Sequence, residues 1–227
     1  MLINMRNGLT TGKRLPYDAE VEYLQFSAEG SGASGCFVDT GIVPNGSQSL
    51  TIVFSDFTSK GRWLLGSRIG AQNNAYGFYA NTNSLNFFTA YGVNVWQGPG
   101  AFATSNVGKV TFKMEANVFS AAQELGSETS SHEFNAQTIS SGKNLVLGGL
   151  NNNGSVISFS TFKFYGAIIA GLRDFIPVRF TNKQGVSEGA MYDRANPTVG
   201  MDPDGSARTD GLYRNRGTGA FGYGNDI

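Results

Sequence analysis

Acid–base or metal chemistry in this chain would have to come from few groups. They are two glutamates at spacing two (Glu20, Glu22), one histidine (His132), and the loop Asp202-Pro203-Asp204-Gly205 with Asp210 beyond it. Glycoside hydrolysis needs two carboxylates, about 5 Å apart for retention and further for inversion. Glu20 and Glu22 would share a strand face, but they lie early in the chain and stand without the rest of a catalytic string. His132 sits in the polar run ETSSHEF with no G-x-S-x-G nearby, so it reads as a surface residue rather than a base. One histidine and one cysteine leave no zinc set. Asp202, Asp204 and Asp210 offer the oxygens a calcium ion favours. A glutamate at the bidentate position is missing, and Asp, Pro and Gly are the ordinary turn formers, so a plain turn is the preferred reading. The expectation is a non-enzymatic chain with no cofactor, calcium being the one metal weighed.

Binding chemistry is better represented. Trp96, Tyr76, Tyr79 and Tyr91 lie in a Gly/Asn-rich middle with Asn73, Asn74 and Asn94. An exposed ring stacks on the apolar face of a sugar while amides bond its hydroxyls, so these seven residues form a candidate glycan site. The alternative is that the rings fill a core, which is the preferred reading for Trp63 inside RWLL. Trp96, beside Gly98-Pro99, is expected to be partly exposed. In the tail, Arg208, Arg214 and Arg216 stand with Tyr213, Phe221 and Tyr223, the composition of an interface. A solvated tail is the alternative. Arg6, Lys13 and Arg14 make the N-terminus a basic arm suited to anchoring, or simply a floppy end.

The elements that must position these groups are strands. Residues 162–180 (FKFYGAIIAGLRDFIPVRF) carry two period-two alternations, Phe162/Phe164/Ile168 and Leu172/Ile176/Val178/Phe180, with Ala170-Gly171 as a cheap place to reverse. Residues 49–57 place Leu50, Ile52 and Phe54 on one face, and residues 109–115 place Val110, Phe112 and Met114 inward. Residues 117–120 and 123–125 read as a small hairpin. Such runs recur every 8–12 residues between Gly/Asn turns, the spacing of a sandwich or barrel. With 31 glycines, 17 phenylalanines and 227 residues, one all-β domain is expected. Its parts are an extended arm (1–16), the sandwich (17–181) and a loosely structured segment completing or packing on it (182–227). The lone Cys36 reads as a small buried apolar side chain. Seventeen basic against seventeen acidic residues argue against nucleic acid. No apolar run reaches the ~18 residues of a membrane span, and the N-terminus lacks a signal's apolar region.

Several segments together resemble a known family. YDAEVEYLQ (17–25) with FVDTGIVPN (37–45), RDFIPVR (173–179), GAMYDRAN (189–196) and the closing YRNRGTGAFGYGND (213–226) are similar to laminin-G-like jelly-roll proteins of phages and prophages of gut bacteria. The resemblance implies a concanavalin A-like jelly roll of two antiparallel sheets. It also implies a place on the virion surface, as a head or tail appendage, fibre or decoration component. Partners would then be other virion proteins and further copies of the chain, with host or mucosal glycans as the attachment target and neither nucleic acid nor membrane. A carbohydrate-binding module of a bacterial surface or prophage-encoded protein is the alternative. A glycoside hydrolase ranks last, because the Glu-x-Asp-x-x-Glu string of sandwich glycosidases is absent. The chain departs from the pattern in a longer first loop (AEGSGASG, 28–35), in the insert MDPDGSARTDG (201–211), and in an apolar GAIIAG where a polar turn is usual. The last departure makes Ile168 and Ile169 interface candidates beside Arg6, Lys13, Arg14, Arg214 and Arg216.

Overall fold

Period-two alternation puts one face of each strand out of water, and the burial follows it closely. Leu50, Ile52 and Phe54 of strand Leu50–Ser55 and Val110, Phe112 and Met114 of strand Val110–Glu115 are each at most 1% exposed, while Thr51, Val53, Thr111 and Lys113 face partly outward. The computed structural model describes residues 15–30, 32–69, 73–80, 87–100, 108–126, 129–139 and 141–227, without the side chains of 73 and 97–100. No helix occurs among them. The basic arm with Arg6, Lys13 and Arg14 lies outside the described residues.

The chain folds as a two-sheet antiparallel sandwich of jelly-roll type. The larger sheet runs Thr129–Glu133, Val118–Gln123, Val110–Glu115, Leu50–Ser55, Phe162–Ile169, Arg173–Thr181, Ser187–Asp193 and Leu212–Tyr213, ending in the short pair Gly200–Met201 and Ala207–Arg208. Ala19–Glu20 joins Arg173–Thr181, and Leu24–Phe26 lies between Phe162–Ile169 and Gly222–Tyr223. The smaller sheet runs Asn94–Gly100, Phe87–Gly92, Asn73–Ala80, Trp63–Ile69, Val146–Leu147 and Val38–Asp39. Two short pairings are parallel, Leu150–Asn152 with Trp63–Ile69 and Gly200–Met201 with Leu212–Tyr213.

Between the sheets lies an aromatic core. Phe112 of the larger sheet meets Phe78 and Phe87 of the smaller one at ring-centroid distances of 5.3 and 4.9 Å, both edge to face. Phe54, Phe57 and Phe119 extend the chain of rings. Each buried phenylalanine contributes roughly 2–3 kcal/mol by area, and each edge-to-face pair about 1 kcal/mol more. Cys36 is buried in the same core, as its type suggested.

Three expectations are corrected. In the central hairpin, pairing of Phe162–Ile169 with Leu50–Ser55 shifts register between Phe164 and Gly166. That bulge reverses the parity of the strand. Ala167 and Ile169 therefore turn inward with Phe162 and Phe164, and Ile168 turns outward at 48% exposure. Next, residues 117–125 do not fold back on themselves. Ala116, with φ of 52°, and Asn117 make the turn, and Val118–Gln123 is one strand paired with both Val110–Glu115 and Thr129–Glu133. Finally, the tail is not loose. Ser187–Asp193 pairs along Arg173–Thr181 over seven registers, and Val21 bridges Asp226 near the C-terminus. Its glycine and asparagine content reflects tight turns and close approaches.

Candidate functional site

The aromatics of the smaller sheet divide between its two faces. Tyr76 and Tyr91 sit opposite each other on neighbouring strands, pointing inward. They are 2% and 1% exposed, and their hydroxyls donate to the Gln48 carbonyl (3.3 Å) and the Gly46 carbonyl (2.8 Å). Burial, with the neighbouring Tyr91 behind it, pushes the Tyr76 hydroxyl far above the usual tyrosine range. Neither ring can stack on a sugar, so both leave the candidate set. Trp96 is part-buried and packs on Phe119, and one ring face is covered by His132 at 4.6 Å and 5°. His132 also meets Phe134 edge to face, at 4.7 Å. The expected surface histidine is thus wedged between the edge strands of the two sheets and closes the seam there. Asn94 is part-buried opposite Tyr91, Asn74 takes a left-handed φ of 56°, and the Asn73 side chain lies outside the described residues.

Tyr79 alone of the four candidate rings points to the outer face. Its cross-strand partners there are Trp63, stacked at 4.7 Å and 24°, and Phe88, stacked at 5.1 Å and 12°. Trp63 is buried, though not in the main core. It packs with Ala75, Ala90, Leu150 and Ile157 in a separate cluster. Gly66 makes room for it, since a β-carbon there would lie 2.2 Å from the Trp63 ring. The row Trp63–Tyr79–Phe88 is the aromatic feature that sequence reasoning missed. Only strand register brings residues 63, 79 and 88 into line, and no local spacing signals it.

The charged candidates meet each other rather than solvent. Arg214 donates to Glu188 (2.7 Å) and Asp202 (3.1 Å), and Arg216 donates to Asp39 (2.9 Å). Arg208 donates to Asp202 (2.7 Å) and also holds Asp210. Arg214 and Arg216 are therefore internal clamps and not an exposed interface patch. Ile169, 3% exposed, likewise cannot serve as an interface residue, whereas Ile168 is available. The loop weighed as a calcium candidate is a turn, the reading preferred from its residues. Asp202 and Asp210 are neutralised by arginine, and Asp204 accepts the Ser206 backbone N–H at 2.8 Å in an ordinary turn. Burial acts to raise the Asp210 carboxyl, but the Arg208 guanidinium outweighs it and holds the group below the usual carboxylate range. Among the described residues no three His, Cys, Asp or Glu converge on a metal position.

Most of the remaining acids that the structure describes are similarly engaged. Asp174 pairs with Arg194, Asp226 with Arg179, and Asp56 with Lys163, while Glu20 accepts the Tyr17 hydroxyl. Asp193 is fully buried, accepts the backbone N–H groups of Asp174 and Ala195, and has Arg173 3.5 Å from its second oxygen. Glu22 is exposed. Among the described residues no acid–base pair stands over a cleft, and the pairs Arg216–Asp39, Arg179–Asp226 and Arg194–Asp174 tie the tail to the sandwich. In comparisons with known proteins, no family model and no curated protein sequence matches the chain.

Proposed function

We propose that this chain is a non-enzymatic structural protein of a phage virion surface, a head or tail appendage that serves attachment and has glycans as its target. The observation that carries this reading is where the family-like segments lie. YDAEVEYLQ pairs with RDFIPVR, RDFIPVR with GAMYDRAN, and the closing segment with both the first strand and FVDTGIVPN. They form one end of the larger sheet and its border with the smaller one, bound to each other by backbone bonds and arginine–carboxylate pairs. They make a frame in which segments far apart in the chain hold one another, as a structural component requires. Engagement of most of its carboxylates inside that frame supports a role without catalysis.

The outer aromatic row supports the glycan target. Trp63 is covered, so recognition would fall to the part-exposed Tyr79 and Phe88. The test is a glycan array probed with the labelled full chain, alongside mass photometry and proteomics of purified particles. Array signal lost in Tyr79→Ala/Phe88→Ala, with the melting temperature nearly kept, supports the attachment reading. A chain absent from purified particles and without array hits overturns it.

A further inference from the structure

A recess away from the aromatic row has the chemistry of an anion receptor. It measures about 240 Å³ and lies between the loop after Phe26 and the turn before Trp63. Lys60, Arg62, Thr58, Ser59 and Thr161 line it, with the backbone of Gly30 and Gly32 forming one wall. That wall belongs to the AEGSGASG loop, the segment whose length departs from the family pattern.

Two features set its polarity. The first is uncompensated positive charge. Among the described residues neither Lys60 nor Arg62 is paired with a carboxylate, whereas Arg173, Arg179, Arg194, Arg208, Arg214 and Arg216 all are. Arg62 spends one N–H on the Gly61 carbonyl at 3.3 Å, and Glu29, on the adjoining loop, accepts the Ser34 hydroxyl. The second is the direction of the hydroxyls. Ser59 Oγ accepts the Thr161 N–H at 2.8 Å, and Thr161 Oγ1 accepts the Ala28 N–H at 3.0 Å. A hydroxyl that accepts from the backbone keeps its own proton to give. The recess therefore offers two cations and two hydroxyl donors, a set that matches an oxyanion and repels a metal ion.

The glycine wall is built for this. Gly32 has φ of 77°, and a β-carbon there would lie 2.2 Å from Arg62 Nε, so only glycine lets the guanidinium lie against the loop. Gly30, with φ of 56°, has open space where its β-carbon would stand. The backbone can thus approach a bound group closely.

We infer that this recess binds an oxyanion, a sulfate, phosphate or carboxylate group, held by Lys60, Arg62, Ser59 and Thr161. The inference does not depend on the attachment reading, since a free anion and an anionic sugar share the chemistry. The experiment is titration of the full chain with sodium sulfate at constant ionic strength, followed by amide chemical shifts. Galactose 6-sulfate and N-acetylneuraminic acid serve as parallel probes. Saturable shifts confined to residues 28–32, 58–62 and 159–161 are expected. Affinity should fall at least tenfold in Lys60→Gln/Arg62→Gln and about threefold in Lys60→Gln alone. Lys60 is exposed, so the single variant keeps the test valid if the double variant misfolds. Tighter binding of either sugar than of sulfate would identify a glycan as the source, and equal binding a free anion. No saturable shift with any probe, or undiminished affinity in a folded variant, overturns the inference.

Discussion

The two ends of the sandwich are held together by opposite means. Around Phe112, cohesion comes from rings. Phe54, Phe78, Phe87 and Phe119 all lie within 4.9–5.5 Å of it, and none of the five is more than 1% exposed. Around Arg208, Arg214 and Arg216, cohesion comes from guanidinium–carboxylate bonds of 2.7–3.1 Å on part-buried side chains, backed by close glycine contacts. Ring burial is non-directional, insensitive to pH and weakly sensitive to salt. Ion pairs are directional and vanish when either partner loses its charge. The contrast teaches that a chain of zero net charge can still place its charges where one region depends on them.

Four experiments sharpen or break this contrast. Phe112→Ala should cost the most, about 3–5 kcal/mol by urea unfolding, because it leaves a cavity that the four surrounding rings cannot close. A loss near 1 kcal/mol would show the ring cluster to be plastic. Gly217→Ala is next. Its β-carbon would fall 1.8 Å from the Gly35 carbonyl oxygen, so the tail must lift from the first loop, at about 2–3 kcal/mol. Hydrogen exchange should report the loss at residues 35–37 and 215–218, leaving residues 110–123 protected. Exchange that rises equally everywhere would make the two ends one cooperative unit.

Asp202→Asn should cost about 1–2 kcal/mol, since Arg208 and Arg214 both lose a charged acceptor while keeping a second one. The cost should shrink in high salt, whereas that of Phe112→Ala should not. A salt-independent cost would put the contribution down to shape rather than charge. The smallest effect is acid titration of the unmodified chain. Asp210, with Arg208 against it, and Asp226, with Arg179 against it, titrate below the usual range in the fold. A depressed carboxylate contributes stability that is present above the unfolded value, near 3.9, and lost as pH falls through the folded value. Amide protection in residues 187–227 should therefore weaken below about pH 4, ahead of the ring core. Simultaneous loss in both regions would break the comparison.

Much of the fold was legible because alternation is a local property. Residues 49–57 and 109–115 announce their buried faces without reference to anything else, and so do Phe162 and Phe164. Parity failed at Gly166, where a bulge added one residue and exchanged Ile168 for Ile169 on the buried face. The one local mark of the bulge is Gly166, a glycine inside the alternation, which does not tell which residues are displaced. The bulge exists because pairing with Leu50–Ser55 must stay in register on both sides. The candidate site was less legible for a related reason. Tyr76 and Tyr79 are three residues apart, and which of them faces the core depends on which face of the strand the second sheet covers.

The arginines show where local reading stops. Arg214 and Arg216, seen beside tyrosines and glycines, have the composition of a binding surface. Their partners Glu188, Asp202 and Asp39 lie 26, 12 and 177 residues away along the chain. By itself, then, the sequence determined the all-β class, the buried faces of regular strands such as Leu50–Ser55 and Val110–Glu115, and the lack of a catalytic string, since these follow from residue type and period. Only the tertiary structure decided which charges are neutralised, which rings line up as Trp63–Tyr79–Phe88, and that Lys60 and Arg62 stand without an acid among the described residues. Those outcomes depend on register and on distances between segments far apart in the chain, and no local pattern encodes them.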